Sequence, residues 1–199
     1  MSVLAHALAS APAADDDPVR ERILEAALEQ FKVVGLRRTT VGDVARRAGV
    51  GRVTVYRRIG HKPELIAAAI QSEVGRVTSA VREAIAQLQG PEDRLVEAFA
   101  AGVEIVHTHP LLRRLLETEP EDLLPYVTVG FGPMVELARR FVADEVMPGV
   151  TDPDPELLGE LLARLAQSLV LTPGGAIPVD DRRRLRGFAR AYLAPLLHT

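Results

Sequence analysis

The chain has 199 residues, 47% apolar and 26% charged; such a chain can bury a sizeable core and is neither a staple-dependent miniprotein nor a disordered segment. It contains no Cys, which removes disulfides, thiolate metal sites and cysteine nucleophiles and permits a reducing compartment. The net charge of −3 divides into −3 over residues 1–17, +7 over residues 18–62 (eleven Lys/Arg against four Asp/Glu) and −7 over residues 63–199 (thirteen against twenty). A small basic unit attached to a larger acidic body implies a polyanionic partner for the basic part.

Trp is absent and aromatics make up 4%, while Ala, Leu, Val, Arg and Glu dominate, so an all-α fold is expected. Residues 1–17, MSVLAHALASAPAADDD, hold no Lys or Arg, and His6 interrupts their apolar run. They read as a mobile tail rather than a secretory leader. No apolar run is long enough to span a bilayer, so a cytoplasmic, nucleoid-associated protein with no membrane partner is expected. From Arg20 to Val34 the residues Ile23, Leu24, Ala27, Leu28, Phe31 and Val34 recur at helical spacing, with Pro18 before them and Gly35 just past as a C-cap. A second, short helix is expected from Val41, where the Thr40 hydroxyl can accept from the third backbone N–H and Asp43 sits in the positive first turn. Gly49 then marks a turn, and Arg52 to Ile59 a third helix before Gly60.

Pro63 opens a long helix reaching about Leu88, roughly 40 Å at 1.5 Å per residue. Gly90 and Pro91 end it. Further helices are expected over Glu92–Val106, Leu111–Glu117, Glu121–Met147 with an irregularity around Gly130–Pro133, Pro155–Leu171 and Arg182–Leu196.

Residues 41–60, VGDVARRAGVGRVTVYRRIG, meet the packing demands of a helix-turn-helix. Ala45 is small where two helices cross, Gly49 can take the positive φ of the turn, and Val44, Ala48, Val50 and Val55 can close a small core. Arg46, Arg47, Arg52, Arg57, Arg58 and Lys62 are left outside as donors for phosphates and base edges. Residues 20–66, RERILEAALEQFKVVGLRRTTVGDVARRAGVGRVTVYRRIGHKPELI, resemble the N-terminal domain of the TetR family of transcriptional regulators. The resemblance rests on the ILEAALEQF helix ending at Gly35, Thr39-Thr40, DVARRAGV, the TVY of the third helix, and Lys62 followed by Glu64-Leu65. The rest of the chain is similar to that family in length and helical pattern. A departure is Arg57-Arg58 after Tyr56, where many members carry aromatic residues or His.

The resemblance implies an N-terminal three-helix DNA-binding domain over residues 18–62, joined by a long helix to a C-terminal helical ligand-binding and dimerisation domain over residues 63–199. It places Thr40, Tyr56 and Lys62 on backbone-phosphate positions and Arg52, Val53, Thr54, Arg57 and Arg58 on the base-facing part of the recognition helix. Arg52 and Arg57 can each fork onto a guanine, and the Thr54 methyl can touch a thymine. Arg46 and Arg47 suit a solvated face as well as a phosphate contact. One such module makes few contacts, so a homodimer reading a palindromic double-stranded operator, with half-sites about 34–36 Å apart, is expected.

Two apolar faces are candidates for the dimer interface: Leu157, Leu158, Leu161, Leu162, Leu165 and Leu169, and Leu185, Phe188, Ala189, Tyr192, Leu193 and Leu196. Burial within the protomer accounts for the same spacing. The Arg182, Arg183, Arg184, Arg186 and Arg190 cluster reads as a solvated face or a rim of ion pairs. The resemblance further implies an unidentified small-molecule effector, with Phe99, Val103, His107, Leu116, Tyr126, Phe131 and Met134 as an apolar lining with polar handles; each also suits a core position.

No cofactor or metal is expected, because an i, i+2 pair such as His107 and His109 points to opposite sides of a helix. A helical enzyme using His107, His109 and Tyr126 is the rival class, and no GxxxxGK, GxSxG, HExxH or dinucleotide fingerprint supports it. A DNA-binding architectural protein without an effector is the third. The expected function is a ligand-responsive, dimeric repressor released from its operator by a hydrophobic or aromatic molecule.

Overall fold

The computed structural model describes residues 17–172 and 174–198, and the regular elements among them are all helical. The tail expected over residues 1–17 lies outside the described residues except for Asp17. In chain order the helices are α1 (Pro18–Arg38), α2 (Val41–Arg47), α3 (Arg52–Arg58), α4 (Lys62–Ile85), α5 (Pro91–His107), α6 (Pro110–Thr118), α7 (Pro120–Val127), α8 (Gly132–Phe141), α9 (Pro155–Leu171) and α10 (Arg182–Tyr192). A π-helical turn, Val142–Val146, follows α8, and a 3₁₀ turn, Ala194–His198, follows α10. The chain divides into two units, one built from residues up to Gly75 with Pro110–Phe131, the other from Arg76–His109 with the residues from Gly132 onward.

In the first unit, the Asp17 side chain accepts from Val19 N at 3.0 Å and Pro18 follows at the first helical position, so α1 starts with a cap and without an orphaned donor. Ile23, Leu24, Ala27, Leu28 and Phe31 are buried along one side of α1 and form a core with Leu36, Val44, Val55, Leu65 and Ile66. Leu111, Leu115 and Leu123 of α6 and α7 belong to the same core, a pairing with α1 that helical spacing alone does not reveal. Gly35 breaks α1 as expected, at φ 86° and ψ 173°, although helical geometry resumes to Arg38.

In the second unit, Leu95, Phe99 and Val103 of α5 pack with Val146, Met147, Leu158, Leu162, Leu185 and Ala189. α8 and α9 cross so closely at Gly159 that a β-carbon there would stand 2.8 Å from the Ala138 carbonyl oxygen. The helical stretch expected over Glu121–Met147 consists of α7, α8 and the π-helical turn, with a break over residues 128–131 where the irregularity around Gly130–Pro133 is expected. Gly130 N closes onto Pro125 O at 2.8 Å, and Pro133 brings no N–H to carry a helical ladder across this point. The last helix stops at Tyr192 rather than Leu196, and the long helix at Ile85 rather than Leu88.

Arg182, Arg186 and Arg190 of α10 face carboxylates of α5, while Arg183 and Arg184 are exposed. Glu97, only 9% exposed, accepts from Arg182 Nη2 at 2.5 Å and from Arg186 Nε and Nη2 at 2.5 and 2.8 Å. Arg182 also pairs with Glu104 at 3.0 Å, and Arg190 with Glu92 and Asp93 at 3.0 and 2.6 Å. Three of the five arginines in the cluster thus form a ladder of ion pairs between the two helices. Among the described residues, no helix is long and apolar enough to cross a membrane.

Candidate nucleic-acid interface

The local sequence builds the interface from its caps upward. At the start of α2 the Thr40 hydroxyl accepts from Asp43 N at 3.1 Å while the Asp43 carboxylate accepts from Thr40 N at 3.3 Å, a reciprocal capping box. Gly49, at φ 67°, turns the chain, and Gly51 caps α3 without a side-chain bond. Val55 is fully buried and, with Val44 and Ala45, seats α3 on the core. Its neighbours are thereby turned outward: Val53 is 78% exposed, Arg52, Tyr56, Arg57 and Arg58 are exposed, and Thr54 is half-buried.

These outward side chains sort into distinct settings. Arg57 makes no ion pair or hydrogen bond among the described residues and presents its guanidinium fork to solvent. Arg58 Nη1 instead pairs with Asp17 at 2.6 Å, and the Arg58 carbonyl accepts from Arg20 at 3.2 Å, so this base-facing candidate is tied to the start of α1. Arg46 pairs with Asp43 at 2.6 Å and Arg47 donates to Gln30 at 3.2 Å, which occupies both outside the candidate site.

A cleft of about 450 Å³ is lined by Arg37, Thr39, Thr40, Val41, Gly42, Arg52, Tyr56 and Lys62. It brings together all three expected phosphate positions. It also takes in Arg52, whose guanidinium lies over Gly42 so closely that a β-carbon there would stand 2.9 Å from Nε and Nη2. Arg52 thus lies in one cleft with Thr40, Tyr56 and Lys62, and Arg57 is not among the lining residues. Arg37 is the residue that sequence reasoning passed over; the GLRRTT run just before the Thr40 cap is the signal that marks it.

Within the cleft, Lys62 Nζ donates to the Arg37 carbonyl at 2.8 Å and keeps two N–H groups for a further oxygen. The Tyr56 ring lies 5.1 Å from the His61 ring, tilted by 53°. The Thr40 hydroxyl donates to Asp43 Oδ2 at 2.5 Å. That bond is the main cause holding the Asp43 carboxyl below the usual aspartate range, with Arg46 adding to it and partial burial opposing. With its hydrogen so engaged, the Thr40 hydroxyl can donate to a phosphate only after releasing Asp43.

The other expected residues fall in both units. Phe99 and Val103 are buried in the core of the second unit, where His107 and Met134 are half-buried, whereas Leu116, Tyr126 and Phe131 are half-buried in the first. None of the seven lines the cleft. Among the dimer candidates, Leu158, Leu162, Leu169 and Leu185 are buried in the second unit's own core, and Leu165, Phe188 and Leu196 are half-buried against it. The outward members are Leu157, Leu161 and Tyr192, at 66%, 49% and 69% exposed. Phe188 links Tyr192 to the core, with its ring 5.3 Å from Tyr192 and 6.4 Å from Phe99.

Two family models match: "Bacterial regulatory proteins, tetR family" over residues 23–69 and "Bacterial Tetracyclin repressor, C-terminal domain" over residues 91–185. The HTH-type transcriptional regulator AlkX of Mycobacterium tuberculosis is 26% identical over 185 residues, covering 87% of this chain and 86% of that protein. The HTH-type transcriptional activator FasR of Mycolicibacterium smegmatis is 33% identical over 112 residues, covering 53% of this chain and 50% of FasR. Among solved structures, the TetR family repressor AlkX of a Dietzia strain, implicated in n-alkane biodegradation, superposes with a TM-score of 0.69. It is 22% identical, with 94% of this chain and 98% of that one covered.

Proposed function

Because the chain belongs to the TetR family of bacterial transcriptional regulators, DNA-binding proteins that are not enzymes, we propose that it acts as a dimeric repressor released from a palindromic operator by a small hydrophobic or aromatic effector. Residues 18–62 serve as the reading head and residues 63–199 as the effector-binding and dimerisation part. A protein working on chromosomal DNA is placed by this reading in the cytoplasm, with the nucleoid.

The observation that carries the reading is Arg57, exposed on α3 and without an ion pair or hydrogen bond among the described residues, on the same helix as Arg52 and Tyr56, which line a cleft with Arg37 and Lys62. In this assignment Arg57, Val53 and Thr54 read base edges, with Arg58 joining them if it leaves Asp17. Lys62, Tyr56, Arg52 and, after release of Asp43, Thr40 hold backbone phosphates and fix the docking. Leu157, Leu161, Phe188 and Tyr192 supply the contact between protomers. For the effector this reading draws on Phe99, Val103, His107 and Met134 in the second unit and on Leu116, Tyr126 and Phe131 in the first, each taken by itself, a mixture of apolar surface and few polar groups that suits an apolar molecule.

The test compares two substitutions. Arg57→Ala is expected to weaken operator binding by about 1–3 kcal/mol and to relax preference at one operator position, leaving binding to random duplex nearly unchanged. Lys62→Ala is expected to weaken both equally and to flatten the salt dependence. Equal losses on operator and random DNA for Arg57→Ala would remove Arg57 from base readout.

A further inference from the structure

The C-terminal end of α1 leaves carbonyls and N–H groups with no partner in the helix, and the side chains of nearby Thr39 and of distant Arg114 and Glu119 take them up. Arg114 of α6 donates to the Lys32 carbonyl and, at 2.8 Å, to the Val33 carbonyl. The buried Thr39 hydroxyl donates to the Gly35 carbonyl at 2.6 Å. Glu119 Oε2 accepts from Leu36 N at 2.7 Å and from Arg37 N at 3.2 Å. Its other oxygen occupies the space over Gly35, where a β-carbon would stand 1.9 Å away. Glu119 is the N-cap residue of α7, yet its side chain makes no bond to that helix; it is given over to the end of α1.

The peptide that serves the cleft is the next one along the chain from the two whose N–H groups Glu119 holds. The Arg37 carbonyl accepts from Lys62 Nζ at 2.8 Å, and the Arg37 side chain lines the same cleft while bonded to Glu121 at 2.6 Å and Asp122 at 3.1 Å. We propose that Glu119 is a positioning residue for DNA binding: by clamping the Leu36–Arg37 backbone beside Gly35, it holds the carbonyl that seats the Lys62 ammonium for a phosphate. This rests on the reading of Lys62 as a phosphate donor. The clamp works through charge-assisted bonds to a backbone that Gly35 alone lets the carboxylate approach. It puts the phosphate grip under the control of α6 and α7, whose docking decides where Glu119 stands.

A phosphate contact acts on every sequence, so a labelled random-sequence duplex serves as the probe, with anisotropy read across a salt series. Lys62→Ala is expected to weaken binding about threefold to tenfold and to lower the slope of log K against log salt by about 0.9. Glu119→Ala is expected to do the same, and the double variant to bind no more weakly than Lys62→Ala alone, because both act through one contact. Glu119→Gln, whose amide oxygen can accept the same two N–H groups, restores the grip. Should Glu119→Ala fail to fold by circular dichroism, Glu119→Asp, which keeps the charge but falls short of the peptide, is expected to lower the slope in its place.

An unchanged slope in the Glu119 variants, or losses that add in the double variant, would overturn the coupling and leave the phosphate role of Lys62 intact. An unchanged slope in Lys62→Ala itself would overturn that phosphate role and the proposal with it.

Discussion

Gly35→Ala is expected to destabilise the first unit by roughly 3–5 kcal/mol, combining a backbone region that is nearly glycine-only with the loss of charge-assisted hydrogen bonds. At φ 86° and ψ 173° an L side chain is strained whatever surrounds it. The new β-carbon would fall 1.9 Å from Glu119 Oε1 and 2.6 Å from its Cδ. Glu119 can swing away, but only by releasing Leu36 N and Arg37 N, which leaves the kink without its acceptor. Domain stabilities of about 5–15 kcal/mol make this a large fraction. Urea unfolding followed by far-ultraviolet circular dichroism reads it directly, and a change below about 0.5 kcal/mol, the level of an ordinary surface substitution, would contradict this account of Gly35.

Glu97→Ala is expected to destabilise the second unit by about 2–3 kcal/mol at neutral pH. Breaking a fully buried ion pair costs about 3–5 kcal/mol; here the Arg182 and Arg186 side chains keep 31% and 45% of their exposure, so water takes part of the load. Burial by itself would push the Glu97 carboxyl up. Hydrogen bonds from Arg186 and Arg182, with their charges, outweigh burial and hold it below the usual glutamate range. A folded value below the unfolded one makes this stabilisation complete above about pH 4.3, the ordinary glutamate value, and drains it as pH falls through the folded value. The difference between wild type and Glu97→Ala in urea midpoint should therefore be greatest at neutral pH and shrink in acid. A difference that grows in acid would reverse the sign of the linkage.

Much of the interface was legible because its determinants are local. Thr40 and Asp43 stand three residues apart and make the expected capping box, Gly49 takes the positive φ that its turn needs, and the spacing of Val44 and Val55 places both in the core. What was hidden depends on partners distant in sequence or on competition for one atom. Nothing near Gly35 announces Glu119, and nothing in the recognition helix announces that Asp17 holds Arg58. The engagement of the Thr40 hydroxyl with Asp43 needs atomic distances to be seen.

The leucines of α9 and α10 show a different limit. An apolar stripe reports that a face is covered, and the same spacing serves the protomer's core or a second protomer. Here Leu158, Leu162 and Leu185 are buried inside the unit, while Leu157 and Leu161 point outward. The C-terminal family match covers residues 91–185, where the sequence by itself offers only length and helical pattern.

The central claim is sequence-specific DNA binding by this helix-turn-helix, and the most direct measurement is fluorescence anisotropy of the full chain on a labelled duplex from the DNA flanking its own gene. Unlabelled copies of that duplex and of an unrelated one, at a fixed salt concentration, serve as competitors. The account predicts saturable binding, with the specific competitor more effective by about a thousandfold or more. Equal displacement by both competitors on that duplex and on duplexes selected from a random pool would contradict it.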